Sequence, residues 1–205
     1  MNIALFGATG GTGRQLLDQA LAAGHAVTAL ARDPARLPVI HEQLTLVTGD
    51  MRDAAAVAAV VRGADAVIVT LGASQGSPAD ICSIGTAQVI AAMQQAGARR
   101  LVVITSLGVG DSKNQVPLAF KLLMKTALRA VMADKEAQEA LVMASGLDWT
   151  IVRPGGLTHG PGSGQYRFGL DQNIVAGQVA RADVAAFVLQ QLGDDTFLYK
   201  TPAIT

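Results

Sequence analysis

Short apolar runs alternate with stretches of helical periodicity along most of the chain. Six of these runs predict strands, at 2–6, 26–31, 44–48, 65–70, 101–105 and 149–153. The run at 65–70 has the uninterrupted apolar character of a strand that is buried on both faces of a parallel sheet. The alternation predicts an α/β fold, a doubly wound parallel sheet with helices on both faces, in a single domain over residues 1–205.

The connection after the first predicted strand carries the pattern Gly-x-x-Gly-x-x-Gly. In a strand–turn–helix unit, Gly7 lets the chain leave the strand, Gly10 lets the backbone approach a pyrophosphate, and Gly13 lets the helix pack closely. The first N–H groups of the helix and the hydroxyls of Thr9 and Thr12 then form an anion site that needs no charged side chain. The pattern predicts a Rossmann-like nucleotide-binding domain.

The end of the second predicted strand distinguishes the two nicotinamide dinucleotides. Folds that prefer NAD usually place a carboxylate there, but Arg32 occupies the position in this chain. A guanidinium suits the 2′-phosphate of NADP, and Arg36 can add a second contact, so NADP is expected and NAD is less favoured. Asp33 either weakens phosphate binding, if it faces the ribose, or caps the short helix that Pro34 begins.

Ligands of doubly wound sheets bind beyond the carboxyl ends of the strands. Asp50, after the third strand, either contacts the adenine amino group or is a turn residue. We expect a substrate crevice between the loops 106–116 and 155–172. The candidate cofactor-binding residues are Gly7, Thr9, Gly10, Gly11, Thr12, Gly13, Arg32, Arg36, Asp50, Met51, Leu71, Gly72, Thr105 and Pro154.

The second half of the chain has longer segments with weaker patterns. A helical pattern from 117 to 144 predicts one long helix, and its methionines would also suit an adaptable substrate wall. Its apolar residues are expected to face the core, among them Leu122, Leu123, Leu128, Val131 and Met132.

The segment 157–170 is rich in glycine and contains Tyr166 and Phe168, which predicts a mobile loop over the crevice. A last helix is predicted at 179–192, and a short closing strand at 197–199.

Composition narrows the class of partner. The 205 residues include 16 lysines and arginines and 16 aspartates and glutamates, so the charge gives no support for a nucleic-acid or anionic-membrane partner. Cys82 is the single cysteine and cannot form an internal disulfide, and a strand that starts at residue 2 leaves no room for a signal peptide. We expect a cytoplasmic monomer or homodimer that binds a small molecule.

Several motifs together are similar to those of a known family. They lie at 7–13, 32–33, 49–50, 65–69, 105–106 and 145–155. On these residues the chain resembles the atypical short-chain dehydrogenases of the NmrA-like group, and within it the biliverdin-IXβ reductase/flavin reductase family. The resemblance implies an NADPH-dependent reductase of a flavin, a quinone or a linear tetrapyrrole. It also implies that Ser106 lies near the nicotinamide and orients an acceptor carbonyl, although a turn-capping role fits as well.

Two departures from the family patterns bear on the chemistry. The family's reductase has a histidine near the positions of 154–156, where this chain has glycine, and His159 would have to substitute for it from the loop. Tyrosine-type dehydrogenases use Tyr-x-x-x-Lys as a proton relay, but here Val131 stands four residues before Lys135. Lys135 either binds the nicotinamide ribose or is a solvated helix lysine.

The missing tyrosine points toward acceptors that stabilise negative charge themselves and take a proton from water. It fits equally well a non-catalytic NADP-binding redox-sensing regulator of the NmrA-like type. A sugar-nucleotide epimerase is a third reading, but the chain lacks the proton-transferring tyrosine and the larger substrate subdomain of such enzymes.

Overall fold

The computed structural model describes residues 1–73 and 78–205. Its strands are β1 Asn2–Phe6, β2 Ala26–Ala31, β3 Leu44–Thr48, β4 Ala66–Val69, β5 Arg100–Ile104, β6 Asp148–Pro154, β7 Gly156–Thr158, β8 Phe168–Gly169, β9 Gln178–Ala180 and β10 Ala203–Ile204. Its α-helices are α1 Gly11–Ala22, α2 Ala54–Val61, α3 Ile81–Ala96, α4 Leu118–Lys125, α5 Arg129–Met143 and α6 Arg181–Gln190.

The central sheet has the strand order β3-β2-β1-β4-β5-β6-β10-β8. All neighbouring strands pair in parallel except β10 and β8, and β7 pairs with β9 in a separate two-stranded ribbon. The order reverses between β1 and β4, which is the switch point where doubly wound sheets bind ligands. The predicted fold class is confirmed.

Two apolar cores lie on the two faces of this sheet. One is formed with α1 and α6 and contains Leu16, Leu17 and Phe187. The other is formed with α2, α3 and α5 and includes Val57 and Met93. Adjacent residues of β1 and β4 contribute to opposite cores, which explains why these strands are apolar without interruption. No helix within the described residues combines the length and apolarity that a membrane span requires.

The predicted single helix at 117–144 is wrong, because α4 and α5 are separated by a break at 126–128. The Thr126 hydroxyl donates to the Leu122 carbonyl at 3.0 Å and the backbone leaves the helical region at Thr126, so the last turn of α4 is closed by a local side-chain bond. Leu122 and Leu123 are 66% and 43% exposed, so their predicted core positions are also wrong.

The chain end also differs from expectation. Residues 197–199 form a turn in which the Leu198 N–H donates to the Asp195 carbonyl at 3.0 Å, and the closing strand is β10 instead. The short apolar run at 197–199 predicted a strand, but Phe197 packs into the α1/α6 core.

The segment 157–170 is tied to the rest of the domain at several points. Its ends belong to β7 and β8, and the Asp183 carboxylate accepts the N–H groups of Ser163 at 3.0 Å and Gly164 at 2.9 Å. The ring centroids of Tyr166 and Phe168 lie 6.3 and 5.1 Å from that of Phe187. The Tyr166 ring packs against the core beside α6, and Leu157 of the same segment lines the cavity. A mobile loop over the crevice stays a prediction.

Candidate cofactor and acceptor site

A cavity of about 580 Å³ opens at the carboxyl ends of the central strands. It contains the two candidate catalytic residues, Ser106 and Lys135, and every candidate cofactor-binding residue except Gly13. The predicted residues in its wall are Gly7, Thr9, Gly10, Gly11, Thr12, Arg32, Arg36, Asp50, Met51, Leu71, Gly72, Thr105, Ser106, Lys135 and Pro154. Loop ends that are far apart in sequence thus meet at one edge of the sheet.

The glycine turn brings backbone N–H groups to the cavity wall. Gly7 has a φ of 91°, and a Cβ there would lie 2.5 Å from the Thr70 carbonyl oxygen. A Cβ on Gly13 would lie 2.1 Å from the Gly7 carbonyl oxygen, so Gly13 allows α1 to approach β1 and does not line the cavity. Gly10 precedes α1 with no side-chain cap, which leaves the first N–H groups of the helix open to an anion.

A smaller cavity of about 280 Å³ lies beside the first and is lined by Thr9, Arg32, Asp33 and Arg36. The Asp33 carboxylate accepts the Ala35 N–H at 3.1 Å, so Asp33 caps the helical turn that begins at Pro34. The two arginines therefore contribute positive charge to this cavity, while the neighbouring carboxylate is engaged by the backbone.

Asp50 has a turn role and also lies in the cavity wall. Its carboxylate accepts the Arg52 N–H at 3.0 Å, which stabilises the turn after β3. Neighbouring Gly49 lets this turn approach α2, because a Cβ on Gly49 would lie 2.5 Å from the Ala56 Cβ. A contact with the adenine amino group stays a prediction.

Lys135 lies at the other end of the cavity, on α5. Burial lowers the pKa of its ammonium group, while the Cys82 thiol and the carboxylates of Asp134 and Glu139 act to raise it. Burial also raises the pKa of the Cys82 thiol to about 12, so this thiol stays neutral. Lys135 is thus a half-buried cation in the cavity wall, and its contact with the nicotinamide ribose stays a prediction.

Ser106 follows β5 and is half-buried. Its hydroxyl donates to the Leu107 carbonyl at 2.9 Å, a local turn contact that leaves the oxygen lone pairs available to a ligand. The preceding Thr105 donates to Glu139 Oε1 at 2.6 Å, which fixes its hydroxyl against α5. The structure thus shows the turn contact of Ser106, and orientation of an acceptor carbonyl by the same O–H group stays a prediction.

A buried ion-pair network supports this end of the cavity from below. Arg153 of β6 donates to Glu139 Oε1 at 3.0 Å and to Oε2 at 2.6 Å, and its remaining terminal nitrogen pairs with Asp111. Burial opposes the charge of Arg153, but these carboxylates raise its pKa. The network joins β6, α5 and the loop after β5, which carries Ser106.

Sequence reasoning missed several residues of the cavity wall. Leu128, Val131 and Leu157 supply an apolar surface near Lys135, and Arg181 enters the wall from the start of α6. The helical pattern at 117–144 contained the first two, but only the break between α4 and α5 turns them toward the site. His159, proposed as a substitute proton donor, is exposed and lies outside the cavity wall.

Comparisons with known proteins agree with this geometry. A sequence model of a family described as NAD(P)H-binding matches residues 7–195. ChuY, described as an anaerobillin reductase from Escherichia coli O157:H7, has a similar structure with a TM-score of 0.85 and 32% sequence identity, over 100% of this chain and 96% of that one.

Two further proteins extend the comparison. A short-chain dehydrogenase/reductase from Veillonella parvula DSM 2008, solved in complex with NADP, shares the fold with a TM-score of 0.83 at 20% identity, covering 99% of this chain and 93% of that chain. YhfK of Bacillus subtilis, described as an uncharacterized sugar epimerase, is 30% identical over 142 residues, which is 67% of this chain and 61% of YhfK.

Proposed function

Because the chain belongs to the NAD(P)H-binding family, as its motifs predict, we propose that it is an NADPH-dependent reductase of a planar conjugated acceptor. The acceptor class is a flavin, a quinone or a linear tetrapyrrole. The observation that carries the proposal is that Ser106 and Lys135 line the same cavity. The wall of this cavity has an apolar residue, Val131, where tyrosine-type dehydrogenases have the relay tyrosine. The similarity to ChuY supports the tetrapyrrole branch of this class.

The choice of NADPH rests on the smaller cavity. Arg32 and Arg36 contribute its positive charge, and Asp33 is engaged as a cap, so the carboxylate that would repel a 2′-phosphate is directed to the backbone. Arg14 Nη2 donates to the Arg36 carbonyl at 2.8 Å and thereby holds the loop that carries Arg36. Guanidinium groups bind phosphate through paired charge-assisted hydrogen bonds.

In this proposal, residues of the chain bind the acceptor and supply its proton. Bound NADPH supplies a hydride to the acceptor, which also gains one proton. The Ser106 hydroxyl would donate a hydrogen bond to an acceptor carbonyl after turning away from the Leu107 carbonyl, and Leu128, Val131 and Leu157 give the cavity wall an apolar surface for the acceptor. Burial lowers the pKa of Lys135, which eases proton release from its ammonium group to the reduced acceptor.

The test is NADPH oxidation measured with FMN, a quinone and biliverdin in turn, with NADH in parallel. We expect turnover with at least one acceptor and a clear preference for NADPH. The Arg32→Ala variant should lose that preference about tenfold or more, since a charge-assisted hydrogen bond is removed. Arg62→Ala, which removes an exposed arginine outside the cavity wall, is the matched control and should keep it. Absence of turnover with all three acceptors would contradict the proposal.

A second candidate is a non-catalytic NADP-binding regulator that reports redox state to a protein partner. Helix α4 exposes three apolar side chains, those of Leu118, Leu122 and Leu123, and it is close in sequence to Leu128 in the cavity wall. This exposed apolar face favours the regulator. This candidate predicts NADP-dependent association with another protein and no hydride transfer. Pull-down with and without NADP, together with the turnover assay, would distinguish the regulator from the reductase.

A further inference from the structure

Helix α6 begins with an arginine whose side chain lies against the glycine turn. A Cβ built on Gly11 would lie 2.7 Å from Arg181 Nε and 2.8 Å from its Cδ, so the guanidinium occupies the space that the absent side chain leaves. Arg181 also lines the main cavity. A side chain at position 11 would therefore require the Arg181 side chain to move from this place.

The charge of Arg181 has no protein partner among residues 1–73 and 78–205. Its Nη1 is hidden from solvent and makes no hydrogen bond, and none of the five ion pairs found there includes it. A hidden, charged N–H group without an acceptor is unfavourable, and proteins rarely keep one without a reason. A bound anion would supply the acceptor.

The position of the guanidinium identifies the kind of anion. We propose that Arg181 binds the pyrophosphate of the dinucleotide, together with the open N–H groups at the start of α1. Gly11 is the first residue of α1, so Arg181 lies where the helix terminus attracts negative charge. The 2′-phosphate is assigned to the smaller, adjoining cavity, whose wall includes Arg32 and Arg36. The pyrophosphate therefore receives a full side-chain charge in addition to the helix N-terminus.

This proposal deepens the proposed function, since it rests on a dinucleotide in the same cavity, and it makes a distinct prediction about specificity. NAD and NADP share the pyrophosphate and differ at the 2′-position. Loss of Arg181 must therefore weaken both dinucleotides by the same factor, whereas loss of Arg32 must weaken NADP alone.

The test measures dissociation constants of NADP⁺, NAD⁺ and adenosine 2′-monophosphate by calorimetry, without turnover. Arg181→Gln should weaken NADP⁺ and NAD⁺ equally, by about tenfold to a hundredfold, and leave adenosine 2′-monophosphate unchanged, since that ligand lacks the pyrophosphate. Arg181→Lys, which keeps the charge, should recover part of the loss. Unchanged affinity for both dinucleotides in Arg181→Gln would overturn the proposal.

A double-mutant cycle with Gly11→Ala provides a second, independent test. The added Cβ should displace the Arg181 guanidinium, so Gly11→Ala should weaken dinucleotide binding in the wild-type chain but have little further effect in Arg181→Gln. Full additivity of the two changes would overturn the proposal. Thermal unfolding of each variant checks that it is folded. If the cycle behaves as expected while no acceptor is reduced, the proposed function fails and the pyrophosphate assignment stands.

Discussion

The first elements of the domain, from β1 to β4, and the later elements, from α3 onward, are stabilised by different means. Among the described residues of the first part, only Thr12 has a buried polar side chain. The second part buries twelve, of which four are charged: Asp134, Glu139, Arg153 and Asp183. Under the proposed function, the first part supplies most of the cofactor end of the site and the second supplies the acceptor end. Close backbone packing thus builds one end, and buried charge builds the other.

The contrast has a chemical reason. A dinucleotide is bound largely through groups that are common to many proteins of this fold, so glycines and helix N–H groups suffice for most of it. An acceptor and its proton need side chains held in fixed positions, such as Ser106 and Lys135. The Glu139–Arg153 pair fixes the strands and helices that carry them, and a buried pair of this kind specifies an arrangement more than it adds stability.

The largest expected effect is at the glycine turn, in the first part. Gly13→Val would place a Cβ 2.1 Å from the Gly7 carbonyl oxygen, and neither backbone can move without separating α1 from β1. We expect loss of dinucleotide binding and a fall of about 4 kcal/mol or more in the free energy of unfolding. Chemical denaturation and calorimetry measure both. Gly160→Ala, where a Cβ meets no atom within 4 Å, should leave both unchanged.

In the second part, the buried charges give the next largest effect. Arg153→Met would leave the buried Glu139 carboxylate without its guanidinium partner, and we expect a loss of about 3–5 kcal/mol in the free energy of unfolding. Arg99→Met breaks the pair with Asp148 at a side chain that is 62% exposed, and should cost far less, because solvent screens this pair. Equal losses in the two variants, measured by denaturant unfolding, would remove the contrast between buried and surface charge.

This difference also determines how far the sequence could predict the structure. The strands of the first βαβ unit, the glycine turn and the position of Arg32 after β2 follow from local patterns, because each depends on neighbours within that unit. Arg153 and Glu139 are 14 residues apart and meet only after β6 and α5 pack. Arg181 reaches Gly11 across the whole domain, so no local pattern could connect them.

The break after α4 shows a different limit. The apolar spacing at 117–144 fits a continuous helix, but the backbone leaves the helical region at Thr126, whose hydroxyl also donates to the preceding turn. Threonine is tolerated in helices, so its presence alone does not predict a break. As a consequence, apolar residues expected in the core became exposed on α4 or entered the cavity wall on α5.

Lys135→Met tests the chemistry of the acceptor end. Without the ammonium group we expect kcat to fall by about a hundredfold, the size of a general-acid contribution, while the dissociation constant of NADP⁺ changes little. The melting temperature should rise at neutral pH, because methionine has no charge to desolvate. A fall in kcat without a rise in melting temperature would show that desolvation of the Lys135 ammonium group does not destabilise the folded chain.

The pH dependence of stability gives the control for Lys135. Burial lowers the pKa of Lys135 below the ordinary 10.5. At pH values between the lowered pKa and 10.5, the unfolded chain therefore binds more protons than the folded chain. The free energy of unfolding contributed by this group therefore rises with pH over that interval. Lys135→Met should lack this rise. Parallel curves of unfolding free energy against pH for the wild-type chain and Lys135→Met would contradict a lowered pKa of Lys135.

The smallest expected effect is at the exposed face of α4, which the sequence pattern placed in the core. Leu122 is 66% exposed, so Leu122→Ser removes little buried apolar area and should change the free energy of unfolding by less than about 0.5 kcal/mol. Leu16→Ala on α1, at a fully buried position, should cost about 2–5 kcal/mol. If Leu122→Ser were as costly as Leu16→Ala, α4 would have to be covered in solution, and sedimentation of the wild-type chain would then show an assembly larger than the monomer.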